Sequence, residues 1–103
     1  MAVKYRIVVR PLAKRDLDEA AAYLADIDTD LALRLFDDVE RASIRLETFP
    51  FVGREPYRGV RRVALDVFPY HLYYRVTDHA VHVIALLHNR RGPDVVSRTM
   101  TGR

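Results

Sequence analysis

A cationic cluster at the end of an apolar run is the first feature of this sequence that could do chemistry. The run Val83–Leu87 is followed directly by His88–Arg91 and then by Gly92–Pro93. Five apolar residues bounded by a turn signal predict a buried strand, whereas the histidine and two arginines that follow must lie near water. Guanidinium groups of the kind carried by Arg90 and Arg91 match phosphate and carboxylate. The strand end therefore predicts a site for an anionic partner.

The charge distribution supports the same interpretation. Of the 17 basic residues, 15 are arginines. Residues 1–50 carry eight basic and ten acidic side chains, whereas residues 51–103 carry nine arginines and four acids. The positive potential thus lies in the C-terminal half, where it favours a nucleic acid or an acidic protein segment. The alternative is that the arginines merely solvate the surface.

Other kinds of site receive little support from the composition. The chain has four histidines and no cysteine, and metal sites need convergent ligands that usually include a carboxylate or thiolate. We therefore expect neither a metal nor a cofactor. No stretch is apolar enough to predict a membrane span or a signal peptide. The sequence predicts a soluble, cytoplasmic protein with no membrane partner.

The elements that position these residues follow from hydrophobic periodicity. An alternating strand near the N-terminus precedes two amphipathic helices, at about 12–27 and from Thr29 or Asp30 to about Phe49. Three short strands with tight links follow. The predicted fold is α+β, with an N-terminal strand and a two-helix antiparallel hairpin packed on a mainly antiparallel sheet that ends in a three-stranded meander. Residues 1–103 form one domain, in which about 92–103 are a C-terminal tail.

Strand alternation also sorts the polar side chains. It allows one sheet face to gather Arg62, His71, Tyr73, Arg75 and His88, although the pairing register that would bring them together is not fixed by the sequence. The helical acids are expected to face solvent and to take no part in catalysis. They are Asp16, Asp18, Glu19, Asp37 and Asp38.

The order and spacing of several segments resemble the RelE/ParE superfamily of toxins from bacterial type II toxin–antitoxin systems, with a ParE-like ending. The resemblance extends from Tyr5 to about Arg98. Its segments are Pro11–Ala13, Asp16–Leu17, Tyr23–Leu24, Leu46–Pro50, Gly59–Val63, Tyr73–Val76 and His88–Arg91. It implies a toxin that is neutralised by a cognate antitoxin, whose amphipathic, acidic C-terminal segment wraps around it.

The resemblance implies two alternative activities. RelE-like members are ribosome-dependent endoribonucleases that cut mRNA without a metal, whereas ParE-like members poison DNA gyrase. Metal-free cleavage needs a base, a phosphate clamp and an acid. Here Glu55 is the candidate base, Arg61 or Arg62 the clamp, and His71 or His88 the acid.

The sequence departs from the ribonuclease pattern. Many members have arginine where this chain has His71, and the tyrosine ending and lysine array of several ribonucleases are missing. We therefore favour the gyrase-directed, non-enzymatic alternative over the ribonuclease. A third hypothesis is a degenerate toxin that only binds its antitoxin.

Two sets of residues are expected to contact the partners. The predicted target-binding residues are Arg61, Arg62, Arg75, His88, Arg90 and Arg91. The predicted antitoxin anchors on the second helix are Leu31, Leu35 and Phe36, with acids of the antitoxin meeting Arg61, Arg62 or Arg75.

Overall fold

The structure, a computed structural model, describes residues 3–103 and places a helical hairpin on a five-stranded sheet. The elements are β1 (Arg6–Val9), α1 (Pro11–Ile27), α2 (Thr29–Thr48), β2 (Arg54–Tyr57), β3 (Val60–Ala64), β4 (Tyr70–Thr77), β5 (Ala80–His88) and α3 (Pro93–Gly102). The sheet order is β1-β5-β4-β3-β2, in which β1 runs parallel to β5 and the remaining pairs are antiparallel. The predicted α+β fold is confirmed. The prediction did not include β2 or α3.

The two long helices begin where local chemistry favours it. Pro11 occupies the first position of α1, where its missing N–H costs no hydrogen bond. The N-cap of α2 is Asp28, whose carboxylate accepts a hydrogen bond from the Asp30 N–H at 2.9 Å. The predicted cap, Thr29 or Asp30, was therefore one or two residues too late. The difference arises because adjacent capping residues compete for the same turn.

The main core lies between the helical hairpin and one side of the sheet, which we call the hairpin face. Leu35 and Leu46 from α2 are almost completely buried against Leu72, Tyr74 and Val81 from the strands. Burying each such side chain contributes roughly 1.5–3 kcal/mol. This core fixes the strands as a rigid platform for the residues on the opposite side.

The C-terminal residues form a packed helix and not a tail. Val96 and Met100 of α3 are buried against Tyr73, Ile84 and Leu87. We call this side of the sheet the α3 face. The sequence already contained the reason, since β5 is apolar on both of its faces and the side turned away from the hairpin also needs a cover.

Two helical acids that were predicted to face solvent are in fact internal. Asp38 is fully buried and accepts hydrogen bonds from the backbone N–H groups of Asp66, Val67 and Phe68 at 2.8–3.1 Å. Asp16 is mostly buried. The prediction failed because three backbone donors from a loop distant in sequence, invisible in helical periodicity, stabilise the Asp38 carboxylate.

Asp16 connects three parts of the chain. Its carboxylate accepts from the Leu86 N–H at 3.1 Å and forms an ion pair with the Arg103 guanidinium, with Nη2 and Oδ1 3.1 Å apart. The ion pair joins the end of α3 to α1. Within residues 3–103, no helix is both long and apolar enough to cross a membrane.

Candidate functional site

The structure brings together part of the predicted polar cluster. Arg62 on β3 pairs with Tyr73 on β4, and the next residue of that phase on β4 is His71, which pairs with Ala64. These side chains lie on the α3 face, where a cavity of about 300 Å³ opens beside α3. The other lining residues are Pro56, Tyr57, His88, Asn89, Arg91, Pro93 and Val96. We call this the Arg62–His71 cavity.

This cavity has a buried floor and cationic side chains in its walls. Tyr73 is 2% exposed and packs in the second core, which holds the floor in place. Arg91 comes from the turn that follows β5 and is exposed. The cavity therefore presents two guanidinium groups, those of Arg62 and Arg91, and two imidazoles over a rigid strand. Such a set can bind an anionic group.

The imidazole of His71 is electrostatically distinct. Burial lowers its pKa below the ordinary value of 6.5, and the Arg62 guanidinium lowers it further, while the Asn89 side chain acts in the opposite direction. A neutral imidazole near pH 7 can accept a proton or a hydrogen bond, but it adds no positive charge. The fixed charge of the cavity therefore comes from its arginines.

Arg61 does not join Arg62, because adjacent strand residues point to opposite faces. Its Nη1 donates to the carbonyl oxygens of Gly53 at 2.9 Å and Phe51 at 3.2 Å, and its guanidinium lies 5.2 Å from the centre of the Phe51 ring. Arg61 thus holds the segment before β2 in place. This arrangement argues against the predicted roles of Arg61 as a target contact or phosphate clamp.

Glu55, the candidate general base, also lies outside the cavity. It is exposed on β2, and its carboxylate accepts a hydrogen bond from the Gly59 N–H at 3.2 Å. Among residues 3–103, no carboxylate lines the Arg62–His71 cavity. The predicted ribonuclease set is therefore only partly assembled, with Arg62, His71 and His88 together and Glu55 apart.

The end of β5 and the cationic turn after it are held by local contacts. Nδ1 of His88 accepts a hydrogen bond from the Arg90 N–H at 3.0 Å, and the His88 ring meets the Tyr70 ring edge-on with 5.2 Å between centres. Arg90 and Arg91 are both exposed. Arg75 lies further along β4, opposite His82, and not in this cavity.

The predicted antitoxin anchors divide between core and surface. Leu35 is 0% exposed and belongs to the main core, so its side chain does not reach a partner on the surface; Leu31 is partly buried against that core. Phe36 is 41% exposed and its neighbour Leu33 is 59% exposed. The sequence missed Leu33 because an apolar residue off the main helical stripe gives no periodic signal.

An apolar groove beside α2 was also missed. It has a volume of about 290 Å³ between the end of α2 and β3. Phe49 and Val52 at its rim are 64% and 66% exposed. Its lining residues are Ala42, Arg45, Leu46, Phe49, Val52, Val63, Ala64 and Asp66. Exposed aromatic and aliphatic side chains at a groove are typical of a protein-binding surface. In the described part of the chain, no group of three or more metal-ligating side chains lies close together.

The fold and the surface together define a small α+β protein that presents cations on one sheet face and an apolar groove beside its helical hairpin. Residues 7–93 match the family model described as "ParE toxin of type II toxin-antitoxin system, parDE". The chain belongs to this family of toxins, so an antitoxin is its implied partner. The predicted superfamily and its ParE-like character are confirmed.

Individual relatives agree with this assignment. Toxin ParE2 from two strains of Mycobacterium tuberculosis, CDC 1551 / Oshkosh and ATCC 25618 / H37Rv, is 30% identical over 99 residues, covering 95% of this chain and 94% of the relative. A solved structure described as the chromosomal ParDE TA system from P. aeruginosa superposes with a TM-score of 0.71 at 21% identity. That match covers 82% of this chain and 96% of the other, and it supports the same fold.

Proposed function

We propose that this chain inhibits DNA gyrase by binding to it, without catalysing a reaction, and that a cognate antitoxin neutralises it. The observation that carries the proposal is the family match over residues 7–93. The composition of the Arg62–His71 cavity is consistent with it, since the cavity combines cations and imidazoles with no carboxylate from the described residues. Such a surface suits recognition of an anionic partner.

The target contact is proposed to centre on Arg90 and Arg91, with Arg62 and His88 beside them. Leu86 and Leu87 are buried at the end of β5, so the strand from which the turn projects is firmly held. Both arginines are exposed at that turn. A rigid support lowers the entropy cost of presenting the two cations to a partner.

The test is DNA supercoiling by purified gyrase in the presence of this protein. The parent chain is expected to inhibit supercoiling, and the Arg90→Ala/Arg91→Ala double variant is expected to inhibit much less. Its melting temperature should stay close to that of the parent, because exposed arginines usually contribute within about 0.5 kcal/mol to stability. Arg58→Ala, which removes an exposed arginine from the turn between β2 and β3, is the matched control.

Unchanged supercoiling at a large excess of the parent chain would contradict gyrase inhibition. A double variant that remains fully inhibitory would contradict the assignment of Arg90 and Arg91 alone. If that variant instead inhibits gyrase but escapes the antitoxin, the two arginines belong to the antitoxin interface.

Neutralisation is proposed to use the apolar groove beside α2 and the exposed Leu33 and Phe36. An amphipathic antitoxin segment can place apolar side chains in such a groove. Its acidic residues would then meet arginines such as Arg62 on β3. Phe49→Asp at the groove rim should weaken antitoxin binding, while Val67→Asp, an exposed apolar position outside the groove lining, should not.

The ribonuclease alternative has one structural observation in its favour. Arg62, His71 and His88 line one cavity, and a histidine pair beside an arginine can in principle transfer protons at a phosphodiester. Ribosomes that are translating a defined mRNA provide the test. Cleavage of that mRNA by the parent chain but not by His71→Asn would replace the gyrase proposal with this one.

The degenerate-toxin hypothesis predicts a different outcome from both. A chain that only binds its antitoxin leaves growth unchanged when it is expressed alone. Under the gyrase proposal, we expect growth arrest with filamentation and induction of the DNA-damage response.

A further inference from the structure

A second cationic cavity, separate from the Arg62–His71 cavity, lies over β4 and β5, with further lining residues just before α1 and just after α3. It has a volume of about 270 Å³. Its lining residues are Arg10, Arg75, Thr77, His82, Ile84 and Arg103. We call it the Arg10–Arg75 cavity. Three separate segments of the chain contribute an arginine to it.

Hydrogen bonds and strand pairing hold the three segments that carry these arginines. The Arg10 N–H donates to the carbonyl oxygen of Val83 at 2.9 Å, which ties the start of α1 to β5. Arg75 on β4 lies directly opposite His82 on β5. Nη1 of Arg103 donates to the carbonyl oxygen of Ile84 at 3.0 Å. The cavity is therefore built on the sheet and does not depend on a loose loop.

The charges of this cavity are not balanced by the protein itself. Arg103 is paired with Asp16, whereas within residues 3–103 neither Arg10 nor Arg75 forms an ion pair. Arg75 reaches the carbonyl oxygen of Gly59 only at 3.5 Å. None of the lining residues is a carboxylate. Two arginines without an ion-pair partner and His82 thus line a concave space that has no carboxylate among its lining residues.

Arg6 and the N-terminus of α1 increase the positive potential near the Arg10–Arg75 cavity. Arg6 on β1 alternates with Ile7, which packs in the main core, so Arg6 lies on the same side as the cavity. Arg10 is also the N-cap residue of α1, and the helix has neither a side-chain cap nor an acid in its first turn. The helix dipole adds to the field of the arginines, although the arginine cluster is the feature that makes the site.

We propose that the Arg10–Arg75 cavity binds a phosphate group. Arg10 and Arg75 offer guanidinium donors from two separate segments, and such a pair suits a tetrahedral anion with several acceptor oxygens, whereas a planar carboxylate is satisfied by a single guanidinium fork. Arg103 is already bound to Asp16 and to the Ile84 carbonyl oxygen, so it supports the wall of the cavity. The Thr77 hydroxyl is a further donor at the rim. The volume fits a small anionic group better than a larger ligand.

The part of a phosphate ester that lies beyond the phosphate group can occupy a neighbouring cavity. A second cavity of about 220 Å³ shares Arg10, Ile84 and Arg103 and is completed by Pro11, Leu12 and Gly102. Its mainly apolar lining suits the part of a phosphate ester that lies beyond the charged group. The phosphate belongs either to a free nucleotide or to a nucleic-acid backbone. The site does not require gyrase to be the target of the toxin.

The first experiment measures the binding of inorganic phosphate to the full chain by calorimetry at constant ionic strength, with chloride as the balancing anion. The parent chain should bind phosphate, and Arg10→Gln and Arg75→Gln should each bind about tenfold more weakly, as expected for the loss of one charge-assisted contact. Neither variant breaks an ion pair, so both should fold. Arg98→Gln, which removes an exposed arginine of α3 that is absent from the cavity lining, should bind as the parent does.

The second experiment separates the two sources of the phosphate. Adenosine monophosphate and a mixed-sequence DNA duplex are titrated into the same four proteins. Tighter binding of the mononucleotide than of inorganic phosphate identifies a nucleotide site, whereas tighter, salt-dependent binding of the duplex identifies a backbone site. The proposal is overturned if none of the three probes binds, or if Arg98→Gln weakens binding as much as Arg10→Gln and Arg75→Gln do.

Discussion

His71 illustrates how neighbours set the chemistry of one residue. Its imidazole is partly buried on β4 and lies beside Arg62, and both features disfavour the protonated form. In the unfolded chain neither feature is present. The folded protein therefore binds fewer protons at this residue than the unfolded chain does at mildly acidic pH.

The pKa of His71 can be measured by NMR titration of its ring protons. We expect a value below 6.5 in the parent chain and an upward change in Arg62→Gln, because a neighbouring positive charge is removed. Arg34→Gln, on the exposed side of α2, should leave the value unchanged. A pKa that does not respond to the loss of Arg62 would contradict the assigned cause.

The same shift has a consequence for stability. Because the folded-state pKa of His71 is the lower one, its contribution is fully present above the unfolded pKa near 6.5 and is lost as the pH falls from there through the folded pKa. The free energy of unfolding should therefore decrease with acidification over this window. This decrease should be smaller in His71→Asn.

Strand alternation predicted the sheet face of each polar residue but not the cavity that the residue lines. Strand alternation correctly separated Arg62 from the hairpin face and grouped it with His71. It placed Arg75 in the same group, because alternation gives the face but not the distance along the strand. The pairing of Arg75 with His82 puts it in a different cavity.

At the scale of elements, Asp38 determines how the link between β3 and β4 meets α2. Its carboxylate is fully buried and accepts three backbone hydrogen bonds from Asp66, Val67 and Phe68. Hydrogen bonds to a charged group contribute about 1.5–3 kcal/mol each when the alternative is an unpaired buried donor. The link is therefore held to the helix by the Asp38 carboxylate, and an ion pair between Arg45 and Asp66 adds a second, exposed contact.

We predict that Asp38→Asn destabilises the chain by about 3 kcal/mol, because the new amide group offers a single acceptor atom and turns its N–H donors toward other N–H donors. Urea unfolding measures the change. Asp37→Asn, at an exposed position one residue earlier, should change stability by no more than about 0.5 kcal/mol. Similar losses in both variants would show that the buried hydrogen bonds are not the cause.

The third helix is the element that sequence analysis failed to predict. Its ten residues begin after Gly92–Pro93, a pair that signals a turn, and only Val96 and Met100 are buried. Two buried positions in so short a segment give a weak helical signal. The helix forms because the α3 face of β5 offers it an apolar surface.

At the scale of the whole molecule, charge is divided between the two halves of the sequence. The first half, which contains the hairpin, is slightly acidic, and the second half, which contains the meander, is basic. In the fold, Arg62 and Arg91 from the second half and Arg10 from the first half line cavities on the side of the sheet away from the hairpin. An acidic partner should therefore be attracted before it makes contact.

We predict that the association rate with the cognate antitoxin falls by about tenfold or more as the ionic strength rises from about 50 mM to about 500 mM. Stopped-flow mixing measures this rate. Arg90→Gln/Arg91→Gln should weaken the salt dependence, and the charge-preserving Arg90→Lys/Arg91→Lys should retain it. An association rate that is independent of ionic strength would exclude electrostatic steering.

Elements whose signals are local could be predicted from the sequence. Hydrophobic periodicity located the helical hairpin and the meander, because helices and strands each produce a characteristic spacing of apolar residues along the sequence. The order of the motifs then indicated the superfamily, and the family match confirmed it. The excess of arginine in the second half likewise needed no structure to be seen.

The contacts between polar groups depend instead on tertiary packing. The register of β3 and β4 brought Arg62 near His71, the Asp16–Arg103 ion pair closed a separation of 87 residues, and Asp38 became internal through donors from a distant loop. Leu35, a predicted antitoxin anchor, is a core residue because the packing of α2 on the sheet buries it. Such contacts form between residues that are distant in sequence and depend on how whole elements pack. The local spacing of apolar residues therefore does not predict them.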